Sequence, residues 1–99
     1  MAIKVHRSAG NVFRDVGFGP RQAVHLRLRS ELMIEVRRLI ERERLTQAAA
    51  ARLLGVTQPR VSDLVRGRID LFSIDGLVTM LSHAGVRVTL GMKRTPQVA

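Results

Sequence analysis

The stretch from Thr46 to Gly67, TQAAAARLLGVTQPRVSDLVRG, leaves this chain few ways to fold. Thr46 is an N-cap residue, with a side-chain oxygen for an orphan N–H of the first helical turn. Gln47 to Leu54 is almost all Ala and Leu, strong helix formers. Gly55 stops that helix, because glycine enters the left-handed conformation at least cost. Thr57 is a second N-cap. Pro59 falls in the first turn that follows, where its missing N–H breaks no helical bond. The second helix runs to about Arg66, and Gly67 closes it. Only Gly55, Val56 and Thr57 separate the two helices.

The apolar positions fit that geometry. Ala48, Ala51 and Leu54 fall at i, i+3 and i+6 on one face with Ala50 beside them, and Val61, Leu64 and Val65 share a face of the second helix. Small Ala51 lets the two backbones cross closely before the turn. Gln58, Arg60, Ser62, Asp63 and Arg66 then point outward. This is a helix-turn-helix, the arrangement that lays its second helix in a DNA major groove and presents that helix's N-terminal residues to base edges.

Each outward residue has a chemistry and a plainer role beside it. Gln58 matches adenine; Arg60 suits guanine O6/N7 or a phosphate. Gln47 touches a phosphate or buttresses the reading helix; it and Gln58 are also good helix formers on a wet surface. Thr57 and Ser62 can donate to phosphates, although capping alone accounts for Thr57. Asp63 accepts from cytosine N4, or pairs with Arg60 or Arg66. Arg66 and Arg68 flank Gly67 as phosphate clamps, and Arg66 also suits a helix C-terminus. Pro59 touches a thymine methyl or is there for its position alone.

Composition narrows the partner. Seventeen Lys and Arg against eight Asp and Glu give a net charge of +9, which favours polyanions. Nearly all these cations are Arg, whose planar fork fits phosphate and guanine; a GC-rich genome would enrich Arg as well. Residues 1–45 carry a net +5 and residues 46–70 only +2, so phosphate contacts are expected outside the motif too. Three Phe and no Tyr or Trp disfavour RNA binding by stacked aromatics.

Ninety-nine residues make one domain, 1–99, with an N-terminal arm over 1–19, the helix-turn-helix over 46–67 and a C-terminal strand over 86–91. The absence of Cys excludes disulfides and thiolate metal sites and points to a reducing cytoplasm. No apolar run approaches the ~20 residues of a membrane span, and Met1-Ala2-Ile3-Lys4 does not begin a signal peptide. His6, His25 and His83 have no metal-ligand spacing. Ser62-Asp63 lacks an adjacent base and no glycine-rich phosphate loop occurs, so the reading is of a non-enzyme with no metal and no cofactor.

Around the motif, Ile3 to Arg7 alternates like a short strand, and Asn11 to Phe18 reads as a short helix or ordered arm anchored by Val12, Phe13, Val16 and Phe18. Pro20 starts a helical region reaching Arg44, with Leu28, Leu32, Val36, Leu39 and Ile40 as its stripe. Ser30 leaves open one long helix or two. Arg37, Arg38, Glu41, Arg42, Glu43 and Arg44 form its wet face, with Glu35–Arg38 and Glu41–Arg44 as opposite-charge pairs. Arg68 to Phe72 is a loop. Ser73 caps a helix from Ile74 to about Ala84, with Leu77, Val78, Met80 and Leu81 inward, and Gly85 ends it. Val86 to Leu90 alternates as a strand whose partner is residues 3–7 or the same strand of a second chain, and Gly91 to Ala99 frays. The fold expected is mainly all-α: a bundle of about five helices with a short C-terminal strand and an N-terminal strand as an option.

The residues Thr46-Gln47-Ala48, Ala51, Leu54-Gly55-Val56, Gln58-Pro59-Arg60-Val61-Ser62, Leu64 and Gly67 resemble the lambda-repressor-like, Xre-type helix-turn-helix family. Asn11 to Phe18 upstream and Gly67 to Asp75 downstream resemble the small Xre-type antitoxins, the HigA-like group above all. One departure is the Ala run after Thr46, where many relatives have Glu and Leu. The resemblance, over roughly Asn11 to Leu90, implies a repressor that binds an operator in double-stranded DNA. It also implies an antitoxin that neutralises a RelE-like ribonuclease toxin, through a surface outside the reading helix, and autoregulates its operon. Proteins of this motif dimerise on half-sites ~34 Å apart, so a homodimer is expected, with strand 86–90 or the adjoining helix as its contact. The alternatives are a free-standing or phage-type repressor, and a protein-interaction module whose motif no longer binds DNA.

Overall fold

The computed structural model describes residues 2–5 and 20–94, with backbone alone at 2–5 and at Pro20. In chain order they form β1 (Ala2–Val5), α1 (Pro20–Arg42), α2 (Gln47–Leu54), α3 (Gln58–Val65), a 3-10 turn (Ile69–Leu71), α4 (Ile74–His83) and β2 (Arg87–Leu90). The expected arm over Asn11 to Phe18 lies outside the described residues, as does the frayed end after Arg94. Four α-helices and the 3-10 turn therefore stand where about five helices were expected.

The region from Pro20 is one helix of 23 residues, about 34 Å long at 1.5 Å per residue. Ser30 does not break it, because the apolar stripe runs straight through. Leu32, Val36, Leu39 and Ile40 are buried and Leu28 half-buried, with Met33 added to the stripe. Ala23 and Arg27 are buried as well, so the inward face starts earlier than the periodic leucines suggest. Arg37, Arg38, Glu41, Arg42, Glu43 and Arg44 are all exposed. Glu35 and Arg38 pair at 3.0 Å. The Glu41–Arg44 side-chain pair does not form; Arg44 turns out of the helix at φ 51°, and its backbone N–H donates to Glu41 O instead.

Against α1 pack α4 and, more lightly, α3 and the 3-10 turn. Leu77, Met80 and Leu81 of α4 are buried, with Val78 half-buried. They share a core with Ala50, Ala51, Leu54, Val61, Leu64, Phe72 and Val86. Ser73 caps α4 by accepting from Gly76 N at 3.1 Å, and Asp75 lies in the first turn beside the helix dipole.

Two assignments within the motif change. Ala50, not Ala48, is the deepest alanine of α2, and Val65 is 39% exposed. α3 ends at Val65, and a residue beside the chain reversal is carried away from the α1–α4 core.

β1 pairs with β2 in parallel, in the register Ala2↔Arg87, Ile3↔Val88, Lys4↔Thr89, Val5↔Leu90. Of the two partners left open for the C-terminal strand, the same chain supplies the one present, at residues 2–5 rather than 3–7. A parallel pair needs a crossover, and here the helices provide it. Among the described residues the sheet has these two strands alone. No helix among them is long and apolar enough to cross a membrane.

Candidate nucleic-acid interface

The two motif helices are fixed at their ends by local chemistry. Thr46 Oγ1 accepts from Ala49 N at 3.1 Å. At the other end of α2, Gly55 takes φ 70°, and Val56 N closes back on Ala51 O at 3.0 Å. A second reason for glycine comes from α4: a Cβ at Gly55 would lie 2.9 Å from the His83 ring. His83 Nδ1 donates to Leu53 O at 3.0 Å, so the turn is pinned where it must be tight. α3 closes in the same manner, with Gly67 at φ 77°, Gly67 N donating to Leu64 O and Arg68 N to Asp63 O.

The start of α3 is different. Thr57 sits at the N-cap in extended backbone, but its side chain makes no capping bond. Pro59 occupies the first turn, as the sequence required. The capping explanation for Thr57 is therefore only half met: the backbone is right, and the exposed hydroxyl is not used.

The sequence-selected residues separate into three groups. Gln47, Thr57, Gln58 and Pro59 are exposed at the leading ends of α2 and α3, and Arg66 and Arg68 are exposed beyond the far end of α3. Ser62 and Asp63 are half-buried. Among the described residues no ion pair joins Asp63 to Arg60 or Arg66. Arg60 is half-buried and turned inward. Its Nη1 donates to Leu71 O at 2.9 Å, and its guanidinium lies 4.2 Å from the centroid of the Phe72 ring. Arg29 of α1 reaches the same loop, with Nη1 3.4 Å from Ile69 O and 3.5 Å from Phe72 O.

Neither α2 nor α3 has an acidic residue in its first turn, whereas α4 does. The positive ends of the two motif dipoles are thus left uncompensated on the side where Gln47 and Gln58 stand, as suits an anionic partner. No group of three or more His, Asp or Glu among the described residues could hold a metal ion.

A helix-turn-helix domain family matches residues 12–93. A solved structure named as an XRE family transcriptional regulator is similar at 32% identity and a TM-score of 0.68, over 76% of this chain and 84% of that one. The chain belongs to the XRE-type helix-turn-helix family. No curated protein matches it.

For this XRE-type chain, sequence reasoning placed the two helices, the turn and the exposed glutamines. It missed Leu71 and Phe72, which receive Arg60 of α3, and Arg29, which reaches the same loop from α1. The one available signal was compositional: Phe72 is the sole aromatic after Phe18, so an arginine stacked on a ring in the helical body had no other choice.

Proposed function

We propose that this protein is an operator-binding repressor that works as a homodimer, and the antitoxin of a type II toxin–antitoxin module. Family membership makes it a DNA-binding transcriptional regulator, a class whose members act by binding rather than by catalysis. The observation that carries the reading is the row Gln58-Pro59, exposed at the leading end of α3 and flanked by exposed Gln47 and Thr57, with exposed Arg66 and Arg68 at the other end. Gln58 reads a base, adenine being its best bidentate match, and Pro59 lies against a thymine methyl. Ser62 and Asp63, a turn further along, meet the wall of the groove. Gln47, Thr57, Arg66 and Arg68 hold phosphates on either side and set the register.

One reading helix covers few base pairs, so a second copy is needed for a full site. The contact proposed is β2 and its continuation, where Leu90 is 73% and Met92 87% exposed beside a sheet that has two strands among the described residues. The antitoxin role rests on the flanking segments Asn11–Phe18 and Gly67–Asp75, which resemble HigA-like antitoxins, and its partner is a RelE-like toxin.

The deciding experiment titrates the protein against its own upstream DNA and a scrambled duplex across a salt series. A repressor shows an excess on its own DNA of about 10³ or more at ~150 mM salt. Weak, steeply salt-dependent binding to both duplexes would reduce the +9 charge to a nonspecific role and reject the reading. In the same assay Gln58→Ala should cost roughly 1–3 kcal/mol on the specific duplex alone. Co-expression with the neighbouring small reading frame tests the antitoxin part: a neighbour that is harmless alone, or that does not co-purify, rejects it.

A further inference from the structure

α3 has two turns, and its inward contacts are unevenly placed. Val61 and Leu64 are fully buried, but both lie behind the leading end that must meet the bases. At that leading end Thr57 makes no side-chain cap. What holds it is Arg60. One arm of its guanidinium is spent on Leu71 O at 2.9 Å, and the plane rests on Phe72, which is 2% exposed and part of the core. Arg29 grips the same loop from α1, so the carbonyls of Ile69, Leu71 and Phe72 are all approached by guanidinium groups. A guanine contact needs both parallel N–H groups of the fork presented outward. Arg60 cannot offer its Nη1–Nη2 pair while Nη1 is bonded to Leu71 O, and stacking on Phe72 holds the plane in that orientation.

We infer that Arg60 is a positioning residue for sequence recognition, not a base or phosphate contact. It clasps the leading end of α3 to the loop before α4 and so fixes the roll at which Gln58 meets the groove. The inference rests on the DNA-reading function proposed above. It differs from direct readout in its consequences: a positioning residue affects every base pair the helix reads, and acts through Phe72, which is too deeply buried to touch DNA.

The test compares Arg60→Lys, Arg60→Gln, Phe72→Leu and the Arg60→Gln/Phe72→Leu pair on three probes. These are the upstream duplex, single-base-pair variants of it, and a scrambled duplex, each over a salt series. Both Arg60 substitutions should lower specific affinity about tenfold, with the loss spread over all positions, because Lys supplies charge but not the flat stacked fork. Binding to scrambled DNA and the salt slope should stay at the wild-type value. Phe72→Leu should reproduce this pattern, and the double variant should be no worse than the single ones. If Phe72→Leu does not fold by circular dichroism, the base-pair scan of the two Arg60 variants decides alone. Loss confined to one base pair overturns the inference in favour of direct readout. Recovery by Lys, with a slope lowered by about 0.9 in Arg60→Gln, overturns it in favour of a phosphate contact. Unchanged specific affinity with a lower Tm makes Arg60 merely structural. A wild-type protein with no preference for its upstream DNA overturns the DNA reading and this inference together, an outcome distinct from the other three.

Discussion

α2 and α3 have the same length and the same kind of glycine-closed end, yet they are held in opposite ways. α2 is secured by its own sequence and close neighbours: a bonded cap at Thr46, two buried alanines, and a turn braced by His83. α3 has an unbonded cap, two buried side chains, and a borrowed clasp in which Arg60 reaches the loop before α4. The contrast follows from what each helix must leave exposed. On the function proposed above, Thr57 keeps its hydroxyl for a phosphate instead of a cap, and the Arg60 contact stands in for the missing bond.

Substitutions at matched places break or sharpen that contrast. The largest effect is expected at Leu64→Ala. Leu64 is one of only two buried anchors of α3, and removing it should cost about 2–5 kcal/mol in denaturant unfolding. If the cost fell below that of Ile→Val-type trimming, about 1 kcal/mol, α3 would be held by something other than its apolar face. Next comes Gly55→Ala, which combines a left-handed backbone with a Cβ 2.9 Å from His83 and should destabilise by roughly 1–3 kcal/mol. The pair Thr46→Ala and Thr57→Ala addresses the comparison directly. Thr46→Ala should lower stability by about 1 kcal/mol. Thr57→Ala, losing no bond, should change it by less than about 0.5 kcal/mol while still weakening DNA binding. Equal stability losses at both sites would erase the difference between the helices. Smallest is Arg44→Gly, which relieves the one left-handed non-glycine among the described residues and should raise stability by about 0.5–1 kcal/mol in a thermal melt.

The same contrast explains what was legible from the chain. The bounds of α2, the start of α3, the Ser73 cap and the turn at Gly55 were readable because each depends on residues within a few positions. Where the outcome depended on distant residues, the sequence was silent. Arg60 looked outward by periodicity and turns inward because Phe72, twelve residues on, offers a ring face. Val65 fitted the apolar stripe and is exposed because the chain leaves the core there. Burial of Ala50 on α2 and of Met33 on α1 reflects which faces the neighbouring elements cover, α3 and α4 in the case of α2. The strand signal of Val86 to Leu90 was clear, but two partners satisfied it equally, and the pairing with residues 2–5 emerges only in the assembled fold.

The register that sets Ala2 beside Arg87 also imposes a timetable. Eighty-five residues of synthesis separate those partners, which at about 5–20 residues per second is roughly 4–17 s on the ribosome. The four helices can meet earlier, since α4, the last of them, ends at His83, before β2 is made. Of these elements the sheet closes last, so a nascent chain already holding a formed helix-turn-helix still carries an open strand until Leu90 has been made.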